Sequence, residues 1–144
     1  MDFARQLSLL AKAMDSAVER RLNRLGYDDI RSGHLVVLLD LGRDGARSTE
    51  LARRAGMTRQ SMGELVADLE ALGYVERQPD TGDRRARIVL PTGKGLILVA
   101  QARRAVTEVE ADAARRLGRE RFLQLGQALA DLAAAEPESV VKKA

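Results

Sequence analysis

The sequence has no cysteine and no tryptophan, a single histidine, and aromatic residues at only 3% of its 144 positions. Each shortage closes a class of function. Without cysteine there is no disulfide, no thiolate nucleophile, no Cys-ligated zinc and no thiol redox sensor. That profile is compatible with a reducing cytoplasm, the expected location. One histidine, His34, excludes a histidine-cluster metal site and any Ser–His hydrolase arrangement elsewhere in the chain. No metal and no cofactor are expected. Two tyrosines and two phenylalanines argue against a base-stacking platform of the kind that reads single-stranded nucleic acid. Long apolar runs are missing too. Leu35 to Leu39 and Leu96 to Ala100 are the longest, far short of the ~20 residues of a membrane span. Asp2, Arg5, Lys12 and Asp15 interrupt the first apolar residues, so no signal peptide and no membrane partner are expected.

What remains is a globular composition, 45% apolar and 31% charged, on a chain that fits one domain over residues 1–144. A fold of this length buries roughly 70% of the surface its unfolded chain exposes, so it needs no covalent staple. Net charge is only +3, but the basic side is dominated by arginine; lysine stands only at 12, 94, 142 and 143. Arginine's planar fork suits phosphate and guanine. A GC-rich coding sequence would raise arginine as well, so placement has to decide.

Periodicity divides the chain. Phe3, Leu7, Leu10, Met14, Val18, Leu22 and Leu25 follow each other at steps of three and four, one apolar stripe of a helix over 3–25 that Gly26 ends. Ser32 is placed to cap a second helix burying Leu35, Val36, Leu38 and Leu39 and closed by Gly42 and Gly45. Ser48 is placed to cap a short third helix that stops at Gly56, and Thr58 a fourth over 59–72, with Met62, Leu65, Val66, Leu69 and Leu72 inward. The period then changes. Residues 74–77 and 87–90 read as two strands around the turn residues Pro79, Asp80, Thr81, Gly82 and Asp83. A long helix over 94–117 carries Leu96, Val99, Ala102, Val106, Val109 and Ala113 on one stripe. Gly118 separates it from a last helix over 119–135 with Phe122, Leu125, Leu129 and Leu132; Pro137 is expected to end it.

The chemistry lies between 47 and 90. A short helix, a glycine turn and a second amphipathic helix make a helix-turn-helix, with small Ala52 at the crossing and Gly56 at the turn. A hairpin directly after it is the winged-helix order. The second helix would enter a DNA major groove amino end first. Its outward face is Arg59, Gln60, Ser61, Gly63, Glu64, Ala67 and Asp68, and Thr58 at its cap joins Arg59 to Glu64 as a DNA-binding candidate. Arg59 suits guanine or phosphate and Gln60 pairs bidentately with adenine. Ser61 is adaptable, and Gly63 lets backbone approach the groove wall. Arg84, Arg85 and Arg87 on the hairpin tip suit phosphates or a narrow minor groove, although most charge runs are simply solvated. From Arg47 to Leu90 there are 8 arginines against 7 acids, so the arginines' position at helix start and tip carries the argument, not net charge.

Residues 48–95 resemble the MarR family (multiple antibiotic resistance regulators). The resemblance rests on Thr-Glu-Leu-Ala-Arg-Arg-Ala-Gly-Met at 49–57 and Leu-Glu-Ala-Leu-Gly-Tyr-Val-Glu-Arg at 69–77. It continues in Asp-Arg-Arg-Ala at 83–86 and Thr-Gly-Lys-Gly at 92–95. The flanking helices fit as well. The resemblance implies a mainly α fold with a small β-hairpin: a winged helix-turn-helix part at 31–92 flanked by dimerisation helices at 1–25 and 94–136. It implies a homodimeric regulator, by family habit a repressor, binding double-stranded DNA at a pseudo-palindrome. It implies Arg85 in the minor groove, and Asp83 and Arg77 supporting the wing. Two positions depart from the family pattern. Glu64 either accepts from cytosine N4 or discourages phosphate contact, and Pro91 should end the second wing strand early.

Many members are released by small anionic aromatic effectors. Tyr27, Arg31 and His34 could offer ring, cation and switchable donor; the plainer alternative packs Tyr27, solvates Arg31 and uses His34 as a cap. A winged-helix adaptor for a protein partner is the rival reading. No enzyme is expected: there is no nucleophile–base pair and no metal set, and Gly93-Lys94-Gly95 lacks the flanks of a phosphate loop.

Overall fold

The computed structural model describes residues 2–135; residue 136 of the expected second arm and Pro137 lie outside them. The elements run α1 (Phe3–Arg24), α2 (Ser32–Asp40), β1 (Ala46–Arg47), α3 (Ser48–Ala55), α4 (Arg59–Ala71), β2 (Val75–Pro79), β3 (Arg87–Pro91), α5 (Gly93–Leu117) and α6 (Arg119–Ala135). This is the mainly helical architecture expected, with one strand more than a hairpin.

Local chemistry sets most helix starts. Asp2 accepts from the Arg5 N–H at 3.0 Å, the Thr58 hydroxyl from the Ser61 N–H at 3.1 Å, and the Thr92 hydroxyl from the Gly95 N–H at 3.0 Å. Ser32 and Ser48 do not cap. They are the first residues of α2 and α3, and Arg31 and Arg47 hold the cap positions. At α2 a stronger acceptor competes. Glu19 on α1 takes the Ser32 N–H at 2.8 Å and its hydroxyl at 2.6 Å, a carboxylate against a helix amino end. His34 completes the cap by accepting the Arg31 N–H on Nδ1 at 3.0 Å. At α3 the chain before Ser48 is drawn into a strand instead.

That strand, β1, joins an antiparallel sheet of order β1-β3-β2, with Ala46 opposite Val89 and Arg47 opposite Ile88. Two residues are too few to show an alternating pattern. β2 and β3 pair from Val75↔Pro91 to Pro79↔Arg87. Pro91 therefore does not shorten β3. It is the last paired residue, where a missing N–H costs the ladder least, and Thr92 beyond it donates its N–H to the Tyr74 carbonyl at 3.1 Å.

The core draws on every element of the winged part, with Leu22, Ile30, Leu38, Leu51, Met62 and Leu98 fully buried. The buried stripe of α5 differs from the expected one. Leu98 and Ala105 are buried beside Val99, Ala102 and Val109, while Leu96 faces solvent. The reason is that α5 packs on α1 and on α2, which widens its buried arc. The same widening buries Val37 on α2, where Val36 and Leu39 are only half-buried. Arg21 of α1 bridges to Asp112 at 2.5 Å and Glu108 at 3.5 Å on α5. The outer ends of the arms lack such cover. Phe3, Leu10, Leu25, Leu123, Leu125 and Leu132 are exposed, and no described residue of α6 is buried.

The start of α5 is seated on the chain just before β2. A Cβ on Gly95 would lie 1.9 Å from the Tyr74 carbonyl oxygen, so only glycine lets the two backbones meet. The Thr92 hydroxyl donates to the Gly73 carbonyl at 2.7 Å. Lys94 Nζ donates to the Leu72 carbonyl at 2.8 Å and lies 4.3 Å from the centre of the Tyr74 ring. The Tyr74 hydroxyl donates to Asp29 at 3.1 Å; burial and that carboxylate push its pKa up to about 12.

Gly95→Ala should cost about 3 kcal/mol through overpacking, read as a lower urea midpoint. Gly63→Ala, inside α4 with nothing within 4 Å of the added methyl, should instead add roughly 0.5–1 kcal/mol through helix propensity. Acid dependence offers a second test. The Ser32 hydroxyl, the Ser32 N–H and nearby Arg31 hold the Glu19 carboxyl below its ordinary 4.5. Its contribution to stability is full above that value and fades as pH falls through the lower folded value. Stability curves of wild type and Glu19→Gln should therefore converge as pH falls below 4.5; a constant gap would contradict this role for Glu19.

Candidate nucleic-acid interface

The helix-turn-helix is built as its residues suggest. α3 ends at Gly56 in the left-handed conformation (φ 63), and the Met57 N–H returns to the Ala52 carbonyl at 2.9 Å. Leu51 and Ala52 from α3 and Met62, Val66 and Leu69 from α4 share the core. The packing turns the other face of α4 outward: Arg59, Gln60, Ser61 and Glu64 are exposed and Gly63 half-exposed. Thr58 and Ser61 are joined hydroxyl to hydroxyl at 2.9 Å. No acid stands in the first turn of α4, leaving its positive dipole end unopposed by its own side chains.

The wing tip is a self-bonded loop. The Asp80 N–H donates to the Ala86 carbonyl at 3.0 Å and the Ala86 N–H to the Asp83 carbonyl at 3.1 Å. Asp80 Oδ1 accepts the Gly82 N–H at 3.0 Å, and Asp83 Oδ1 the Arg85 N–H at 2.9 Å. Asp83 thus shapes the tip from within; Arg84 and Arg85 project from it into solvent, and Arg87, which the sequence placed on the tip, is the exposed first residue of β3 beside it. Arg77 stands lower. Its terminal nitrogen is 3.5 Å from the Gly63 carbonyl, and its Nε is 3.9 Å from Glu70 with no hydrogen-bond partner. It links β2 to α4, not to the tip.

Sequence reasoning missed Arg47 and treated Asp80 as turn chemistry alone. Arg47 donates from Nε to Asp80 Oδ2 at 2.9 Å and from a terminal nitrogen to the same oxygen. The Gly82 N–H and then Arg47 hold the Asp80 carboxyl below its usual range. The turn half of this was visible in Pro79-Asp80-Thr81-Gly82; a partner 33 residues upstream leaves no local pattern.

Pairing elsewhere decides where free positive charge lies. Glu50 takes up Arg53 at 2.6 Å and Arg54 at 3.2 Å, which keeps its carboxyl in the charged form. Asp68 sits 3.5 Å from His34 Nε2, and Asp80 holds Arg47. Among the described residues of the winged part, Arg59, Arg84, Arg85 and Arg87 have no side-chain hydrogen bond or ion pair, and neither has Arg43 in the loop before β1. The described contacts do not join the α4 residues to the tip arginines.

Tyr27 and Arg31 lie on the connector before α2 and His34 in the first turn of that helix. The Tyr27 ring lies 6.4 Å from that of Tyr74. Arg31 donates to the Asp28 carbonyl at 3.0 Å and stands 3.9 Å from Glu19. His34 is 6% exposed; because Nδ1 accepts a backbone N–H, the ring proton belongs on Nε2, toward Asp68. A cleft of about 680 Å³ opens elsewhere, between α1, α5 and α6, with Leu10, Met14, Phe122 and Leu129 on its apolar wall and Arg20 and Arg116 at its rim. Among the described residues no three His, Asp or Glu gather as metal ligands, and no helix is long and apolar enough to cross a membrane.

Residues 28–86 match the model of the MarR family. No curated protein matches the chain in sequence. Among solved structures, a MarR transcriptional regulator from Methanosarcina mazei Go1 superposes with a TM-score of 0.80 at 21% identity, over 91% of this chain and 93% of that one. CouR from Rhodococcus jostii RHA1, bound to p-coumaroyl-CoA, gives 0.77 at 23% identity over 94% of each chain. Wild-type apo MarR from E. coli gives 0.75 at 19% identity over 92% and 97%. Over residues 28–86 this chain matches the MarR family in sequence, and along its described length it has the winged-helix fold of these solved MarR-family regulators.

Proposed function

We propose that this chain is a cytoplasmic, homodimeric repressor that binds a pseudo-palindromic DNA site. The observation that carries the reading is the placement of unpaired charge. Arg59 at the amino end of α4 and Arg84, Arg85 and Arg87 on the wing tip are exposed and unbonded, while the neighbouring acids are largely engaged. In this reading residues 31–92 dock on DNA with the amino end of α4 in the major groove. Gln60 reads adenine, Arg59 guanine or phosphate, and Glu64 cytosine N4; Thr58 and Ser61 add hydroxyl contacts and Gly63 gives the backbone room. The tip arginines take phosphates and the minor groove.

The arms at 1–25 and 94–136 supply the dimer. Exposed Phe3, Leu10, Leu123 and Leu132 support this, since burial of each such side chain is worth roughly 1.5–3 kcal/mol. A two-fold dimer of this kind places its half-sites roughly 34–36 Å apart. We extend the reading to release by a small aromatic anion; CouR, of the same fold, is a relative solved with a ligand, p-coumaroyl-CoA, bound. Tyr27, Arg31 and His34 are the residues for it, with Glu19 the internal carboxylate such an anion would displace.

Selection from a random DNA pool at about 150 mM salt should return a pseudo-palindrome with half-sites one turn apart. Salt-sensitive retention with no motif would favour the protein-adaptor reading instead. On the selected site, Arg85→Ala should weaken binding and lower the salt slope by about one; an unchanged slope removes the wing from the interface. Leu132→Glu, exposed in the single chain, should leave the helical content intact and turn a dimer into monomer by mass at low-micromolar protein. A dimer that persists would place the interface elsewhere.

A further inference from the structure

This inference rests on the DNA-binding reading and concerns how α4 and the wing act together. α4 is fixed by the core. The tip is a loop of residues 80–86 beyond two five-residue strands, shaped by its own backbone bonds. One side chain reaches it from outside the hairpin. Arg47 is the last residue of β1, paired with Ile88, and is also the cap residue of α3. Because β3 lies between β1 and β2, its guanidinium must cross β3 to reach Asp80, the first residue after β2. It ends with two nitrogens on Asp80 Oδ2, while Oδ1 holds the Gly82 N–H. The Asp80 side chain is only 13% exposed, so this carboxylate is turned inward and spent on its two partners.

We propose that Arg47 is a positioning residue for the wing: through Asp80 it sets the pose of Arg84, Arg85 and Arg87 relative to the helix-turn-helix, and so controls DNA affinity without touching DNA. An ion pair whose arginine remains half-exposed adds little to global stability. Its effect lies in the freedom it removes from the tip before binding, freedom that DNA would otherwise have to remove.

The rival account makes Arg47 a phosphate contact in its own right, and Asp80 separates the two by sign. Removing an acid beside a polyanion strengthens binding by charge alone. Loosening the tip weakens it. Asn at 80 keeps an oxygen for the Gly82 N–H, so the turn survives while the ion pair is lost.

The test compares full-length wild type, Arg47→Ala, Asp80→Asn and the double variant on the selected DNA across a salt range. Positioning predicts that each single variant weakens binding on the order of tenfold and that the double is no weaker than either. It also predicts that the Asp80→Asn salt slope stays near that of wild type, because the tip arginines meet the same phosphates once bound. Asp80→Asn binding as well as or better than wild type would overturn the proposal and leave Arg47 as a phosphate contact. Amide exchange of residues 81–86 in the free protein supplies a readout without DNA. It should quicken several-fold in both single variants, and unchanged exchange overturns the brace. If wild type selects no DNA, the functional reading fails, while the exchange rates still decide the brace.

Discussion

The contact between the backbones of Gly95 and Tyr74 is what lets a winged helix and a long helical arm share one chain. α5 must leave the sheet at β3 and turn at once back across the domain. Any side chain at its third residue would strike the Tyr74 carbonyl. With hydrogen there, Thr92 and Lys94 close over the end of α4 by donating to the Gly73 and Leu72 carbonyls, which a helix terminus would otherwise leave open. Tyr74, buried beneath Lys94 and tied to Asp29, then joins this seat to the connector before α2. The start of α5, the end of α4 and the 26–30 connector are thereby one rigid junction, and the sheet and α2 pack around it.

Charge is distributed in the same economical way. Two acids of the winged part are committed to arginines that serve structure: Glu50 to Arg53 and Arg54, Asp80 to Arg47. Arginines of this part left without partners among the described residues are Arg59 at the amino end of α4, Arg84, Arg85 and Arg87 at the wing, and Arg43 in the loop before β1. A net charge of only +3 therefore hides a strongly polar arrangement. His34 belongs to the structural set: both ring nitrogens face a partner, one a backbone N–H and the other the Asp68 carboxylate.

Much of this was legible before any coordinates. The helices α1, α4 and α6 follow apolar spacings long enough to fix their type, and Thr58 caps α4 as its chemistry suggests. Ser32 failed as a cap because a carboxylate from another helix outbid the usual local bond. Leu96 and Leu98 are equally apolar, and only the presence of two neighbours on α5 selects Leu98. β1 has no length in which to show a period. Arg47 and Asp80 meet across 33 residues of chain, and a contact that depends on sheet order cannot be read from composition or spacing. Of the candidate site, the outward face of α4 and the tip arginines were visible as patterns; their geometric link to the rest was not.

The junction between α5 and α6 has a mechanical side. A single residue, Gly118 at φ 92 and ψ 136, is the whole connection, and α6 beyond it runs 17 residues without burying any of them. At about 1.5 Å per residue that is a rigid lever roughly 25 Å long on a one-residue pivot. Rotating either Gly118 dihedral by about 10° swings the far end of the lever about 4 Å. Small adjustments at one glycine thus translate into displacements the size of a base-pair step, and whatever clasps the lever sets the reach of the whole molecule.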